Sequence, residues 1–205
     1  KFVDSYYIIG LLVEYFLHNN KGECVIYDPR LIWNIEEVVD MYGGVSAQNR
    51  VGHVFMKQRM REENAIYGGE ISGHHYFHRF SYNDSGMIVW LIVIQIMSQK
   101  NLSLKDLIQS RKELYPCSGE INFVVNNASQ IICALEQNFI SQSVRISKID
   151  GLSVDFGEWR FNLRQSNTEE LLRLNVESKY DQELLNSKVR FISSLIGDLD
   201  KSLYI

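Results

Sequence analysis

The feature that most constrains the fold of this chain is the alternation of helical and strand periodicity across its first hundred residues. Tyr6 to Leu17 carries Ile8, Ile9, Leu12, Val13, Phe16 and Leu17 at spacings of three and four, which predicts a helix with a broad apolar face. Asn19-Asn20-Lys21-Gly22 stops it, and Cys24-Val25-Ile26-Tyr27 reads as a short strand. Pro29 opens a second helix, Leu31 to Tyr42, which Gly43-Gly44 ends. Val45 to Gln48 reads as a strand, Gly52 to Glu63 as a helix and Asn64 to Glu70 as a further strand. This βαβ rhythm predicts a sheet covered by helices on both faces. Right-handed crossovers then bring the polar strand ends Asp28-Pro29-Arg30, Asn49 to His53 and Glu70 to His74 to one carboxyl edge.

Beyond that edge, Asp84 is expected to cap a long apolar helix running to about Gln99. Its uninterrupted core, Met87 to Ile94, falls far short of the ~20 residues that span a bilayer, so it reads as a buried helix and no membrane partner is expected. Ser103-Leu104-Lys105-Asp106 has capping-box spacing and opens a short helix that Pro116 closes. Near Tyr115 to Gly119 the pattern changes to mostly strands: Glu120 to Val124, then a helix Ala128 to Phe139, then Arg145 to Ile149 and Leu152 to Phe156 around Asp150-Gly151, a two-residue hairpin signal. Trp159 to Leu163, Leu171 to Val176 and a helix from Asp181 to about Ile196 follow. The expected class is α/β. A three-layer α/β/α domain with a mixed, mainly parallel sheet (1–115) precedes a small α+β domain with an antiparallel sheet and two helices (116–205).

Composition removes several functions. With 21 basic and 25 acidic residues the formal charge is 21 − 25 = −4, and the cations are scattered without runs, so nucleic acid is not an expected partner. Cys24, Cys117 and Cys133 fit neither a paired disulfide framework nor a metal knuckle, which points to a reducing cytoplasm. The start at Lys1-Phe2-Val3, without an initiator methionine or signal-peptide pattern, suggests a piece of something longer.

Chemistry concentrates in two places. Glu70-Ile71-Ser72-Gly73-His74-His75 packs a carboxylate, a hydroxyl and two imidazoles into six residues at a strand end, a composition suited to polyols; the alternative is an ordinary glycine-rich connection with a surface histidine pair. Arg164, Ser166, Asn167 and Thr168 offer guanidinium, hydroxyl and amide donors between two strands, as a dianionic phosphate requires; the alternative is a polar hairpin turn. His74, His75 and His78 have spacing compatible with zinc, but adjacent histidines on a loop point apart and no cysteine is near, so no metal ligand is assigned in this chain.

The segments Gly69 to His74, Gly52-His53 with Lys57 to Arg61, Asp84-Ser85-Gly86, and Arg160 to Glu169 together resemble the α-D-phosphohexomutases, in order and over nearly the whole chain. The form around His74 to Phe77 and Tyr82 to Gly86 looks most like the bacterial phosphomannomutase branch that supplies GDP-mannose synthesis. The family enzymes have four domains, and this chain resembles the third and fourth. The resemblance implies interconversion of mannose 6-phosphate and mannose 1-phosphate, with glucose phosphates as further substrates, through a 1,6-bisphosphate. It implies a phosphoserine in domain 1 and Mg2+ held in domain 2, neither of them in this chain, so that domains 1 and 2 are expected partners and glucose or mannose 1,6-bisphosphate the activator. Glu70, Ser72 and His74 would bind the sugar, and Arg164, Ser166, Asn167 and Thr168 the phosphate that is not reacting. Arg30 would offset bisphosphate charge. His53, at a helix start, would donate to a phosphate oxygen or shuttle a proton, where a capping or core histidine is the alternative. One departure is Glu170, which stands where the family usually has proline after Asn167-Thr168-Glu169. The alternative to an enzyme half is a non-catalytic sugar-phosphate binding module.

Overall fold

The structure, a computed structural model, describes residues 2–166 and 171–202. They form two compact units, 1–112 and 113–205. The first is an α/β unit. Asp4 caps α1 (Ser5–His18) by accepting the Tyr6 N–H at 2.9 Å, and β1 (Cys24–Tyr27) follows. Helix α2 spans Trp33–Tyr42, starting later than the proline signal suggests, and ends at Gly43 in the left-handed conformation (φ 66°). Then come β2 (Val45–Gln48), α3 (His53–Glu62), β3 (Tyr67–Gly69), β4 (His75–Phe77), a 3-10 turn at His78–Phe80 and β5 (Asn83–Asp84).

The five strands run in the order β2-β1-β3-β4-β5. β1 pairs in parallel with β2 (Tyr27 opposite Gln48) and with β3 (Tyr27 opposite Gly69), while β4 is antiparallel to both of its neighbours. The sheet is therefore mixed and mainly parallel, with four of five strands in one direction, as expected. Alternate residues face opposite layers. Ile26 and Tyr76 pack with Met56 and Met60 of α3, whereas Tyr67 stacks on Phe16 of α1 at 5.3 Å. Gly68 and Gly69 serve this layering rather than a turn: a Cβ at Gly68 would sit 2.7 Å from Met60 Sδ, and one at Gly69 would sit 2.9 Å from Ile9 Cγ1.

Two expectations about the next helix are corrected. The cap of α4 (Gly86–Lys100) is Ser85, whose hydroxyl accepts the Ile88 N–H at 3.3 Å, and Asp84 instead closes the sheet. Nor is α4 a buried helix. Ile92 and Ile96 are buried, but Met87, Trp90, Leu91 and Ile94 are exposed. An apolar run shows that a helix is hydrophobic all round, not how many neighbours cover it. No single helix among the described residues is long and apolar enough to cross a membrane. Helix α5 (Leu104–Leu114) opens at Ser103 as its capping-box spacing suggests, but with only half of the box: Ser103 Oγ accepts the Asp106 N–H (3.2 Å) and its hydroxyl, rather than the Ser103 N–H, donates to the Asp106 carboxylate (2.6 Å).

The second unit is an antiparallel five-stranded sheet in the order β6-β10-β9-β8-β7, from β6 (Cys117–Val124), β7 (Arg145–Ser147), β8 (Leu152–Asp155), β9 (Trp159–Gln165) and β10 (Leu171–Ser178). Helices α6 (Ala128–Phe139) and α7 (Gln182–Ser202) cover its apolar face, where Ile131, Leu135, Phe161, Leu163, Leu174, Val176 and Ile192 make one core. The small α+β domain is as expected. The Asp150-Gly151 turn is not the two-residue kind, because Ser147 pairs with Ser153; a two-residue turn would close on residues 149 and 152. On the polar face of β9 and β10, Arg160 and Glu177 form a buried ion pair at 2.7 Å.

Candidate functional site

Parallel pairing at equal register sets the ends of β1 and β3 side by side. Asp28 follows Tyr27, Glu70 follows Gly69, and the two loops are tied together where Asp28 Oδ2 accepts the Ile71 N–H at 2.7 Å. The same buried carboxylate grips Arg30 with a fork, Nε to Oδ1 at 2.9 Å and Nη2 to Oδ2 at 2.8 Å. Arg30 thus reaches the edge with its charge paired, and its Nη2 lies 3.5 Å from Ser72 Oγ.

Glu70 is the centre of the edge and is only 3% exposed. Its Oε1 accepts from the Gly52 N–H (3.2 Å) and the Tyr76 hydroxyl (2.9 Å), and its Oε2 from Ser72 Oγ (3.1 Å). Burial, and then the adjacent Glu70 charge, raise the Tyr76 phenol far above its ordinary range, so Tyr76 remains a donor. Three of the roughly four acceptor positions of the carboxylate are therefore occupied by the protein. The geometry leaves room at the carboxylate for one further donor, with the exposed Ser72 hydroxyl beside it as a second polar contact.

Next to Glu70 lies a histidine pair. The rings of His53, at the first turn of α3, and His74 meet edge to face with centroids 4.5 Å apart, and His53 also abuts Tyr76 at 5.3 Å. Asp84, which the sequence reading assigns only to a helix cap, organises both. Its Oδ2 lies 2.8 Å from His74 Nδ1 and 4.0 Å from His53 Nε2, while its Oδ1 accepts the His75 N–H at 2.8 Å. Burial alone would raise its carboxyl, but the His75 N–H, the bond to His74 and the two imidazoles outweigh that and hold it below the usual carboxylate range. The sequence signal for Asp84 was its place in Asp84-Ser85-Gly86, where the neighbouring serine takes the capping role.

His75 points the other way, into the core. Its Nδ1 lies 2.6 Å from the hydroxyl of Tyr67, and burial lowers its pKa to about 4. His78 stacks on Tyr82 at 5.0 Å. The spacing His74, His75, His78 therefore does not converge. Among the described residues the one group of three metal-capable side chains is His53, His74 and Asp84. Two imidazoles and one carboxylate are a poor match to Mg2+, which prefers oxygen ligands, so this cluster does not fit that ion.

In the second unit, Arg164 lies near the end of β9 with its side chain buried and Nη2 3.3 Å from Glu120 Oε2. Arg173, paired across from it on β10, reaches Glu120 Oε1 at 3.3 Å. The sequence reading missed this second guanidinium, which lies outside the loop it considered. Among the described residues no acceptor meets the buried Arg164 Nε. Ser166 is buried, and its N–H bonds Leu171 O at 2.8 Å. Asn167, Thr168 and Glu170 lie outside the described residues.

Comparison with known proteins follows this division. Residues 4–115 match the family model for phosphoglucomutase/phosphomannomutase, alpha/beta/alpha domain III, and residues 120–193 match the model for the phosphoglucomutase/phosphomannomutase C-terminal domain. A phosphomannomutase of Vibrio cholerae is 51% identical over 200 residues, covering 97% of this chain and 43% of the relative. Phosphohexose mutases of Xanthomonas campestris are 48% identical over 196 residues, covering 96% of this chain and 44% of theirs. The chain thus spans less than half the length of these relatives. A crystal structure of a phosphoglucomutase/phosphomannomutase family protein from Burkholderia thailandensis superposes with a TM-score of 0.77 at 23% identity, over 96% of this chain and 43% of that one. The chain belongs to the phosphoglucomutase/phosphomannomutase family, carrying its domain III and its C-terminal domain.

Proposed function

We propose that this chain is the sugar- and phosphate-binding part of a phosphomannomutase that interconverts mannose 6-phosphate and mannose 1-phosphate, with glucose phosphates as further substrates. The observation that carries the reading is the carboxyl edge of the first sheet, where Glu70, Ser72, His53 and His74 converge on ordered partners. Glu70, locked by three donors, accepts one sugar hydroxyl in a fixed direction, and Ser72 Oγ accepts a second while donating to Glu70. Such fixed acceptors orient a ring without rearranging at the moment of reaction. His74 adds a hydroxyl or phosphate contact. His53, exposed at the start of α3, donates to a phosphate oxygen or carries a proton. Arg30 stiffens the edge through Asp28 and Ser72 rather than presenting a bare charge.

In the second unit the buried Arg164 and Ser166, with Asn167 and Thr168 that follow them in the sequence, bind a phosphate. An Arg164 Nε donor unmatched among the described residues supports that assignment. The phosphoserine that exchanges the phosphoryl group and the Mg2+ that assists it belong to the remainder of the enzyme, a placement that fits the 43% coverage of the relatives. A 1,6-bisphosphate, as intermediate and activator, must present either of its ends to the same ring-binding groups.

Calorimetric titration tests each unit separately. Ser72→Ala, an exposed position, should weaken mannose 1-phosphate binding about tenfold, the loss of one hydrogen bond to a polar ligand. Arg164→Ala should weaken inorganic phosphate binding by at least as much. Ligand binding untouched by both substitutions would contradict the assignment, and would leave the non-catalytic module equally without a site here.

A further inference from the structure

We propose that His53 Nε2, His74 Nδ1 and the Asp84 carboxylate form a binding site for a borderline transition-metal cation such as Zn2+ or Co2+, distinct from any Mg2+ site. Their ligand atoms all lie within 4.8 Å of one another. Around a tetrahedral ion with bonds of about 2.0–2.2 Å, ligand atoms sit roughly 3.3–3.6 Å apart. The present separations, 2.8 Å for His74 to Asp84 and 4.0 Å for His53 to Asp84, bracket that range. Reaching it needs a shift of about half an ångström for these two pairs and, with the widest separation in the group within 4.8 Å, of at most about 1.5 Å for the third, which the His53 side chain, 47% exposed, can make by rotation.

Donor chemistry selects the metal. Two imidazoles with one carboxylate suit Zn2+, Co2+ and Ni2+, whereas Mg2+ would shed oxygen ligands to enter. The carboxylate is pre-oriented, because Asp84 Oδ1 is fixed by the His75 N–H at 2.8 Å, while Oδ2 faces His74 Nδ1 at 2.8 Å, a hydrogen bond whose proton the ion would replace. Three protein ligands on a partly exposed edge leave a coordination position open to water or an anion. His53 and His74 are also the imidazoles assigned to the substrate above, so bound metal would compete with sugar phosphate. That consequence rests on the functional reading, but the metal site itself does not.

Titration of the whole 205-residue chain with Co2+ alone, followed by its visible d–d absorption, therefore separates the two. One equivalent should bind with nitrogen and oxygen ligation and without the thiolate charge-transfer band that Cys24, Cys117 or Cys133 would give. His53→Ala and Asp84→Asn should each weaken binding at least about tenfold, and His78→Ala, outside the cluster, should leave it unchanged. His53→Ala removes an exposed side chain, so its result stands even where Asp84→Asn disturbs the fold, which circular dichroism reports. No bound equivalent at about millimolar Co2+, a thiolate band, or affinity unchanged in His53→Ala would overturn the proposal.

Discussion

Glu70 and Asp84 do comparable work on the two sides of the carboxyl edge, each a carboxylate fixed by a backbone N–H and aimed by side chains. Of the two, only Glu70 is legible in the sequence as a candidate binding residue, because it lies in a dense polar stretch at a strand end. Asp84 next to a serine and a glycine looks like a helix cap, and which of two adjacent capping residues takes the role depends on backbone angles that sequence does not show. His75 illustrates the opposite error risk: adjacent to His74, it faces the core, since successive strand residues alternate sides. That burial has a measurable consequence. The folded imidazole titrates near 4 and the ordinary one near 6.5, so between those values the unfolded chain binds the extra proton. Stability is then complete above about pH 6.5 and falls as the pH drops toward 4, by on the order of 3 kcal/mol. Urea midpoints measured across this window should decline in the native chain, and His75→Leu, lower at every pH for want of the Tyr67 partner, should lose that part of the slope. An equal slope in both would contradict the buried neutral imidazole.

At the scale of elements, strand and helix identities followed from periodicity, and Ser103 caps the Asp106 N–H as its spacing requires. Burial of α4 did not follow, because Gly86–Lys100 is apolar on every side and offers no polar stripe to mark its outer face. Its inner contact is narrow. Ile96→Ala should cost about 2–4 kcal/mol in urea unfolding, while Leu91→Ser, 57% exposed, should stay within about 0.5 kcal/mol. Equal losses would mean that the outer face is buried after all. Gly68 and Gly69 are the points where α3 and α1 approach the sheet. Gly69→Ala, driven against Ile9, should destabilise by about 1–3 kcal/mol through overpacking, read from the same unfolding curves.

For the molecule as a whole, the switch from alternating elements to consecutive strands was enough to separate an α/β unit from an α+β unit, because each pattern admits few architectures. The carboxyl edge was legible for the same reason: parallel strands joined by right-handed crossovers leave their polar ends together. What sequence could not supply was the state of each side chain there. Arg30 is paired to Asp28, Glu70 is nearly saturated and the histidines share one carboxylate, all of which depend on register and ångström-scale distances. We propose that this edge binds the sugar of a hexose phosphate. Amide chemical-shift mapping of the 205-residue chain during addition of mannose 1-phosphate tests it most directly. The amides of Gly52, Ile71, Ser72 and His74 should move together and saturate with one affinity, because the Gly52 and Ile71 N–H groups bond the carboxylates that hold the edge. Unmoved resonances at these positions, with ligand bound elsewhere or not at all, would contradict it.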